Sequence, residues 1–349
     1  DSDAVIGSSM VDTIVGGDGN DIITGGAGAD TLTGGAGNDT LTGGAGADQF
    51  NIDAGADSIT DLGFGGADVV VVSNGATVTA TVPSVIGSQW VATADTVNDG
   101  TFTINIGLLA GGVDLSNATG ANGFTVNLGN DSDAVIGSSM VDTIVGGDGN
   151  DIITGGAGAD TLTGGLGNDT FTLANVANVK ATADNILDFT STDNIAIQAT
   201  AGGEFGTLHD SNGNAFDGAA AGVVATVNMA GNDGRLGAIP VSNVISINAD
   251  TNDLSLGYAN IGDLQDAVNV LPTNIRESNN TGGGQFDDGD ELLITWFNTT
   301  DDAYEVGIIT IAGGNGFDGA DEGYEKLLEV DVVGGLTLAE LAASIDFIA

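Results

Sequence analysis

The sequence predicts an all-β protein: two parallel coiled β segments joined by a β insert and followed by a β-rich C-terminal domain. Three observations carry this expectation. A nonapeptide rich in Gly and Asp recurs in strict register. The 349 residues include 59 Gly but only 3 Pro and 5% aromatics, and Val, Ile and Thr suit short pleated strands. Finally, 49 Asp and Glu face only 4 Lys and Arg, a formal net charge of -45.

That charge excludes partners as well as predicting structure. Polyanion binding depends on clustered Lys and Arg, so neither nucleic acid nor an anionic membrane surface fits. Lys180, Arg235, Arg276 and Lys326 could neutralise only a small part of the carboxylates, which leaves metal ions or an unfolded chain. With 41% hydrophobic residues the chain can build a core, against the disorder its charge alone would suggest. The absence of Cys excludes a disulfide scaffold and thiol chemistry. No apolar run is long enough to span a bilayer; the longest compact one, Val69 to Val72, is strand-sized.

The first coiled segment is expected over residues 1–73. Asp3, Asp12, Asp21, Asp30, Asp39, Asp48 and Asp57 lie nine apart, each followed two places later by Val5, Ile14, Ile23, Leu32, Leu41, Phe50 or Ile59. Between them stand GGDGND (16–21), GGAGAD (25–30), GGAGND (34–39) and GGAGAD (43–48). The insert is expected over 74–125, with strand alternation at Thr77 to Val82 and Thr101 to Ile106. It reads as a β insert or as continued solenoid, because Val126 already lies nine before Val135. The second segment, 126–198, repeats the register at Asp133, Asp142, Asp151, Asp160 and Asp169, followed by Val135, Ile144, Ile153, Leu162 and Phe171. Its loops are GGDGND (146–151), GGAGAD (155–160) and GGLGND (164–169). Residues 1–35 recur letter for letter as 131–165, so the natural chain is expected to continue upstream of Asp1, with further copies.

The pattern GGxGxDxUx, with U apolar, resembles the calcium-binding repeats of RTX proteins, which wind into a parallel β-roll. The resemblance implies two such β-rolls and a secreted protein. The residue types argue for the same geometry independently. Each nonapeptide supplies one tight turn and one short strand, two complete a coil, and the U residues stack inward. Aspartates eighteen apart then line one edge at about the 4.8 Å strand spacing. At that distance two carboxylates repel by roughly 3 to 4 kcal/mol at an effective dielectric near 20. A hard cation reverses the sign, and calcium accepts six to eight carboxylate and carbonyl oxygens where magnesium demands a stricter octahedron. Zinc does not suit a chain without Cys and with His209 as its single His.

The expected calcium ligands are therefore Asp12, Asp21, Asp30, Asp39, Asp48 and Asp57 with the turn glycines Gly17, Gly19, Gly26, Gly28, Gly35, Gly37, Gly44 and Gly46. In the second roll they are Asp142, Asp151, Asp160 and Asp169 with Gly147, Gly149, Gly156, Gly158, Gly165 and Gly167. The segments DSITDL from Asp57 and DNILDF from Asp184 share a pattern that often closes the roll in RTX proteins. The resemblance gives that role to Asp61, Leu62, Asp188 and Phe189.

Residues 199–349 are expected to form a separate β-rich domain. Strands are predicted at Val223 to Val227, Val241 to Ile247, Leu292 to Phe297 and Val306 to Ile311, with Asp301 and Asp302 in a hairpin turn. Short helices are predicted at 264–271 and 338–344, capped by Asp263 and Thr337. Oxygen-rich stretches at 210–217 and 313–318 could hold further ions. The end of the chain, 336–349, is similar to C-terminal signals of type I secretion substrates, which implies that the type I secretion apparatus is a partner. No H-E-x-x-H or G-x-S-x-G stands in the sequence, and no catalytic residue is expected. The expected function is a calcium-dependent, self-assembling structural protein of a bacterial surface layer or extracellular filament, its main partners being copies of itself. The alternatives are the distal part of a large RTX adhesin and the calcium-binding half of an RTX hydrolase.

Overall fold

Nine residues leave room for one turn and one short strand, and strands of three to six residues follow each turn of the repeat. The computed structural model describes residues 1–83, 89–107, 111–173 and 183–198. It also describes the strands Ala225–Asn228, Val244–Asn248, Glu291–Asn298, Ala303–Thr310, Gly323–Val332 and Ile345–Ile348. All regular elements among them are strands. The chain divides into two compact units, Asp1–Phe171 and Thr172–Ala349.

The first unit is a parallel β-solenoid. One sheet runs its whole length, with the strands Ala4–Ile6, Ile22–Ala27, Thr40–Ala45, Ala56–Ile59, Thr77–Val82, Thr101–Ile106, Phe124–Gly129, Thr143–Asp148 and Thr161–Leu166 stacked one per coil. The register aligns one inward residue in every coil: Val5, Ile23, Leu41, Ile59, Ala80, Ile104, Val126, Ile144 and Leu162. From Ile23 onward none is more than 2% exposed. The sequence expected this ladder from its nine-residue period, and it forms because parallel strands stack identical apolar positions on one line.

The facing wall changes along the solenoid. In the first roll it is a second sheet of Thr13–Asp18, Thr31–Ala36, Gln49–Ile52 and Val69–Val72, continued by Val97–Asn98 and Thr119–Gly120. In the second roll it is a third sheet of Ala134–Ile136, Ile152–Thr154 and Thr170–Leu173, which begins upstream with Gln89–Val91 and Gly112–Asp114. The two overlap over the insert, where each coil holds three strands. The coil lengthens accordingly, so that Ile59 pairs with Ala80 and Ala80 with Ile104, while Ile23 pairs with Leu41. Of the two readings of residues 74–125, continued solenoid is therefore the one that describes the architecture. The wider coil is filled by aromatics: Trp90 and Phe102 lie 6.3 Å apart and Phe102 and Phe124 5.4 Å, ring centroid to ring centroid, all at most 2% exposed.

The change of wall shifts the phase of the repeat. Ile14 stands in the second sheet, whereas its counterpart Ile144 stands in the sheet common to all coils. Val5 lies in the common sheet and its counterpart Val135 in the third.

In the second unit Glu291–Asn298, Ala303–Thr310 and Gly323–Val332 form an antiparallel meander, to which Asp184–Phe189 adds in parallel with Gly323–Val332. Val244–Asn248 and Ala225–Asn228 extend it in parallel on the other side. Asn194–Gln198 pairs in parallel with Ile345–Ile348. The four strands predicted beyond residue 223 are present, each within a few residues of its expected bounds. Asp301, Asp302, His209, the helices at 264–271 and 338–344, and the stretches 210–217 and 313–318 lie outside the described residues. Among the described residues no helix is long and apolar enough to cross a membrane.

Candidate metal centre

Each Gly loop returns the chain from one wall to the other so tightly that backbone stacks on backbone. Gly35 and Gly37 have φ of 107° and 137°, a region L side chains rarely adopt, and a Cβ on either would collide with the carbonyl oxygen of Gly17 or Gly19. All the predicted turn glycines, from Gly17 and Gly19 to Gly165 and Gly167, share the positive φ.

The aspartate that ends each loop points inward. Its Oδ1 accepts the backbone N–H of the residue one coil earlier: Asp21 from Asp3 at 2.7 Å, Asp30 from Asp12 at 2.8 Å, Asp39 from Asp21 at 2.8 Å, Asp48 from Asp30 at 2.9 Å and Asp57 from Asp39 at 2.9 Å. In the second roll Asp151 accepts from Asp133, Asp160 from Asp142 and Asp169 from Asp151, at 2.9, 2.7 and 2.9 Å. All these carboxylates are at most 4% exposed.

The second oxygen is the informative one. In Asp21, Asp30, Asp39, Asp48, Asp57, Asp133 and Asp151 the Oδ2 is buried without any hydrogen-bond partner. A buried carboxylate oxygen left so is costly unless a cation meets it. The surroundings fit a cation. A Cβ on Gly25 would lie 2.5 Å from Asp30 Oδ2 and 2.7 Å from the carbonyl oxygen of Gly43, so a carboxylate and a carbonyl of the next coil converge on a gap that only glycine leaves open. Gly16 stands in the same relation to Asp21 and the Gly34 carbonyl, and Gly146 to Asp151 and the Gly164 carbonyl, while a Cβ on Gly34 would meet the Asp39 carboxylate. The donors are all oxygen, the chemistry of a hard ion. Among the described residues no three acidic or histidine side chains meet at one point. The carboxylates are strung one per coil along each of two edges, so backbone carbonyls must complete any coordination shell.

Burial sets the charge of this edge. It pushes Asp57 and Asp151 up to about 6 and raises Asp48 and Asp133, with the donated backbone N–H groups acting in the opposite direction. Near pH 7 the edge without cations therefore holds carboxylates that are poorly solvated and close to one another.

Two predicted ligands differ from the rest. Asp12 and Asp142 follow the loop IGSSM, and their Oδ2 accepts the N–H of Ser8 or Ser138 at 2.6 Å and the serine hydroxyl at 2.9 Å. The serine occupies the side of the carboxylate that stays open after a GGxG loop. The Ser8 N–H holds Asp12 below the usual carboxylate range, while burial pushes Asp142 up to about 6.

Two further aspartates belong to the same ladders and were not among the expected ligands. Asp133 keeps the nine-residue register but ends LGNDSD (128–133) in place of a Gly loop; its Oδ1 accepts Gly111 N–H at 2.8 Å. Asp68 lies 20 residues beyond Asp48 and accepts its N–H at 2.9 Å, with Gly63 N–H at 2.7 Å on the other oxygen; burial pushes it up to about 7. The register of nine could have found Asp133, whereas the two additional residues before Asp68 conceal it.

The segment expected to close the first roll is followed by further strands of the same sheets, from Val69–Val72 and Thr77–Val82 onward, so the stack does not end there. Asp61 lays its carboxylate across the N–H groups of Gly43 and Gly44, at 2.9 and 2.8 Å, and Leu62 is fully buried. Phe189 is equally buried in the second unit, and Asp188 lies beside it on the same strand.

Residues 6–41, 24–59 and 136–171 match the family model described as the RTX calcium-binding nonapeptide repeat, four copies. The matches fall on the loops whose glycines and aspartates form the edges described above. No curated protein matches the chain.

Proposed function

We propose, on the premise that the chain is an RTX-repeat protein, that it is a self-assembling structural protein of a bacterial surface layer or extracellular filament which folds on meeting calcium. RTX repeats are typical of secreted calcium-binding proteins, and the finer reading rests on one observation above others. The buried Asp ladders of both rolls carry Oδ2 atoms without partners, so the folded state calls for cations in number. Ion-binding free energy is then folding free energy. Scarce calcium inside a cell keeps both rolls unfolded for the type I secretion apparatus, and abundant calcium outside folds them.

Self-assembly is supported by charge and by surface. A formal charge of -45 keeps calcium-free copies apart over about 8 Å at physiological ionic strength. Calcium lowers that repulsion and fixes surfaces on which apolar residues recur in both copies of the repeat. Val11 and Val141 are 72% and 63% exposed, and Ile22 and Ile152 57% and 52%. Light scattering with electron microscopy tests the reading. Ordered assemblies should appear reversibly as calcium rises to the millimolar range and vanish with chelator. A strictly monomeric protein at high concentration in millimolar calcium would refute it in favour of an adhesin or hydrolase fragment.

A further inference from the structure

The orphaned carboxylate oxygens are not spread evenly along the solenoid. They stand at Asp21 to Asp57 on one side and at Asp133 and Asp151 on the other, and no described carboxylate oxygen from residue 61 to residue 128 is buried without a partner. The turns of that stretch close with groups of their own: Gly63 N–H on Asp68, Ala76 N–H on the Ser73 carbonyl, and Ala118 N–H on the Leu115 carbonyl. Asn98, fully buried, holds two coils together by donating to the Gly123 carbonyl at 2.6 Å and accepting from Gly100 N–H.

The core changes at the same boundaries. A roll strand such as Thr31–Ala36 buries a single bulky residue, Leu32, because glycines fill its second half. The insert strand Thr101–Ile106 buries Phe102, Ile104 and Ile106, and Trp90 and Phe124 pack on Phe102. Apolar burial per coil is thus greatest where the need for cations is least. The insert is also continuous with both rolls, presenting Val78 to Asp57 on one side and Val126 to Ile144 on the other.

We infer that the described residues between 62 and 128 form a calcium-independent nucleus, folded before either roll, whose two open sheet edges template the rolls in opposite directions once calcium arrives. The inference rests on calcium as the cation of the rolls. Nucleation is the slow step of a repeat fold because the first coil has no neighbour to stack on, and a preformed coil removes that step for both rolls at once. Asp61, lying across the N–H groups of Gly43 and Gly44, marks the junction with the first roll, and Asp133, bonded to Gly111, the junction with the second.

Hydrogen exchange on the full chain tests this. In chelator at neutral pH, amides of 69–82, 101–106 and 124–128 should stay protected while those of 13–48 and 143–169 exchange, and calcium should protect all of them. Insert and roll amides exchanging alike in chelator would overturn the nucleus and leave the calcium dependence standing. Roll amides that stay protected in chelator would instead overturn the calcium reading beneath it. Phe102→Ala should raise the calcium concentration that protects both rolls several-fold, with Phe102→Leu restoring most of it. Asp30→Ala should raise it for the first roll alone and leave insert protection in chelator unchanged. An unchanged calcium midpoint in Phe102→Ala would also count against the nucleus.

Discussion

Replacing Asp151 with Asn should change stability in opposite directions with and without calcium. The amide keeps the acceptor that Asp133 N–H uses at 2.9 Å, so the local backbone bond survives and only the charge is lost. Burial, with the charges of Asp169 and Asp133 adding to it, pushes the Asp151 carboxyl from 3.8 to about 6. A displacement of about two pK units corresponds to about 3 kcal/mol against the charged form. Because the asparagine amide must also be buried there, about 1 to 2 kcal/mol is the expected relief. In chelator at pH 7, Asp151→Asn should therefore favour the folded second roll by that amount. In calcium the same change removes a ligand charge, and the midpoint for folding that roll should rise about tenfold, or about 1.4 kcal/mol. Circular dichroism during calcium titration, with hydrogen exchange of residues 143–169 in chelator, reads both arms. A variant that is less stable than the parent in chelator as well as in calcium would refute the reasoning, since the carboxylate would then be stabilising on its own.

The pH dependence follows from the same groups. Asp57, Asp142 and Asp151 are raised to about 6 and Asp68 to about 7, so their protonated forms favour the fold; that stability is present below about 3.8 and lost as pH rises through 6 to 7. Acidifying chelated protein from pH 7 to about 4 should thus recover part of the β signal in circular dichroism, and saturating calcium should flatten the profile. Two glycine substitutions separate backbone strain from cradle filling. At Gly17, with φ of 112° and nothing within 4 Å of a Cβ, alanine should cost about 1 to 2 kcal/mol with calcium stoichiometry by calorimetry unchanged. At Gly25 the added methyl sits on Asp30 Oδ2 and the Gly43 carbonyl, and alanine should abolish binding at that loop.

What the sequence made legible was whatever obeys the nine-residue period. Leu32, Leu41 and Ile153 could be assigned inward, and Asp21 and Asp39 to one edge, because a parallel stack repeats every offset of eighteen. In the insert the strands Thr77–Val82 and Thr101–Ile106 were legible from their alternation, but the stacking of its coils was not, because they do not share that offset: Trp90 lies over Val113 and Val97 over Thr119, and three strands of unequal length leave no period to read. That alternation places Phe102, Ile104 and Ile106 in the core, as the structure has them. Ser8 and Ser138 escaped for another reason. A serine beside an aspartate reads as a departure from the Gly loop, and only coordinates show its hydroxyl on the carboxylate oxygen that other loops leave open.

The change of wall within the insert has a directional outcome. In the first copy of the duplicated block the turn GGDGND carries the chain from the second sheet into the common one, between Thr13–Asp18 and Ile22–Ala27. In the second copy the same letters carry it from the common sheet into the third, between Thr143–Asp148 and Ile152–Thr154. Identical peptides therefore emerge on opposite margins of one ribbon. A duplication that looks redundant in sequence thus displays the same peptide twice, once on each margin of the solenoid, facing opposed directions.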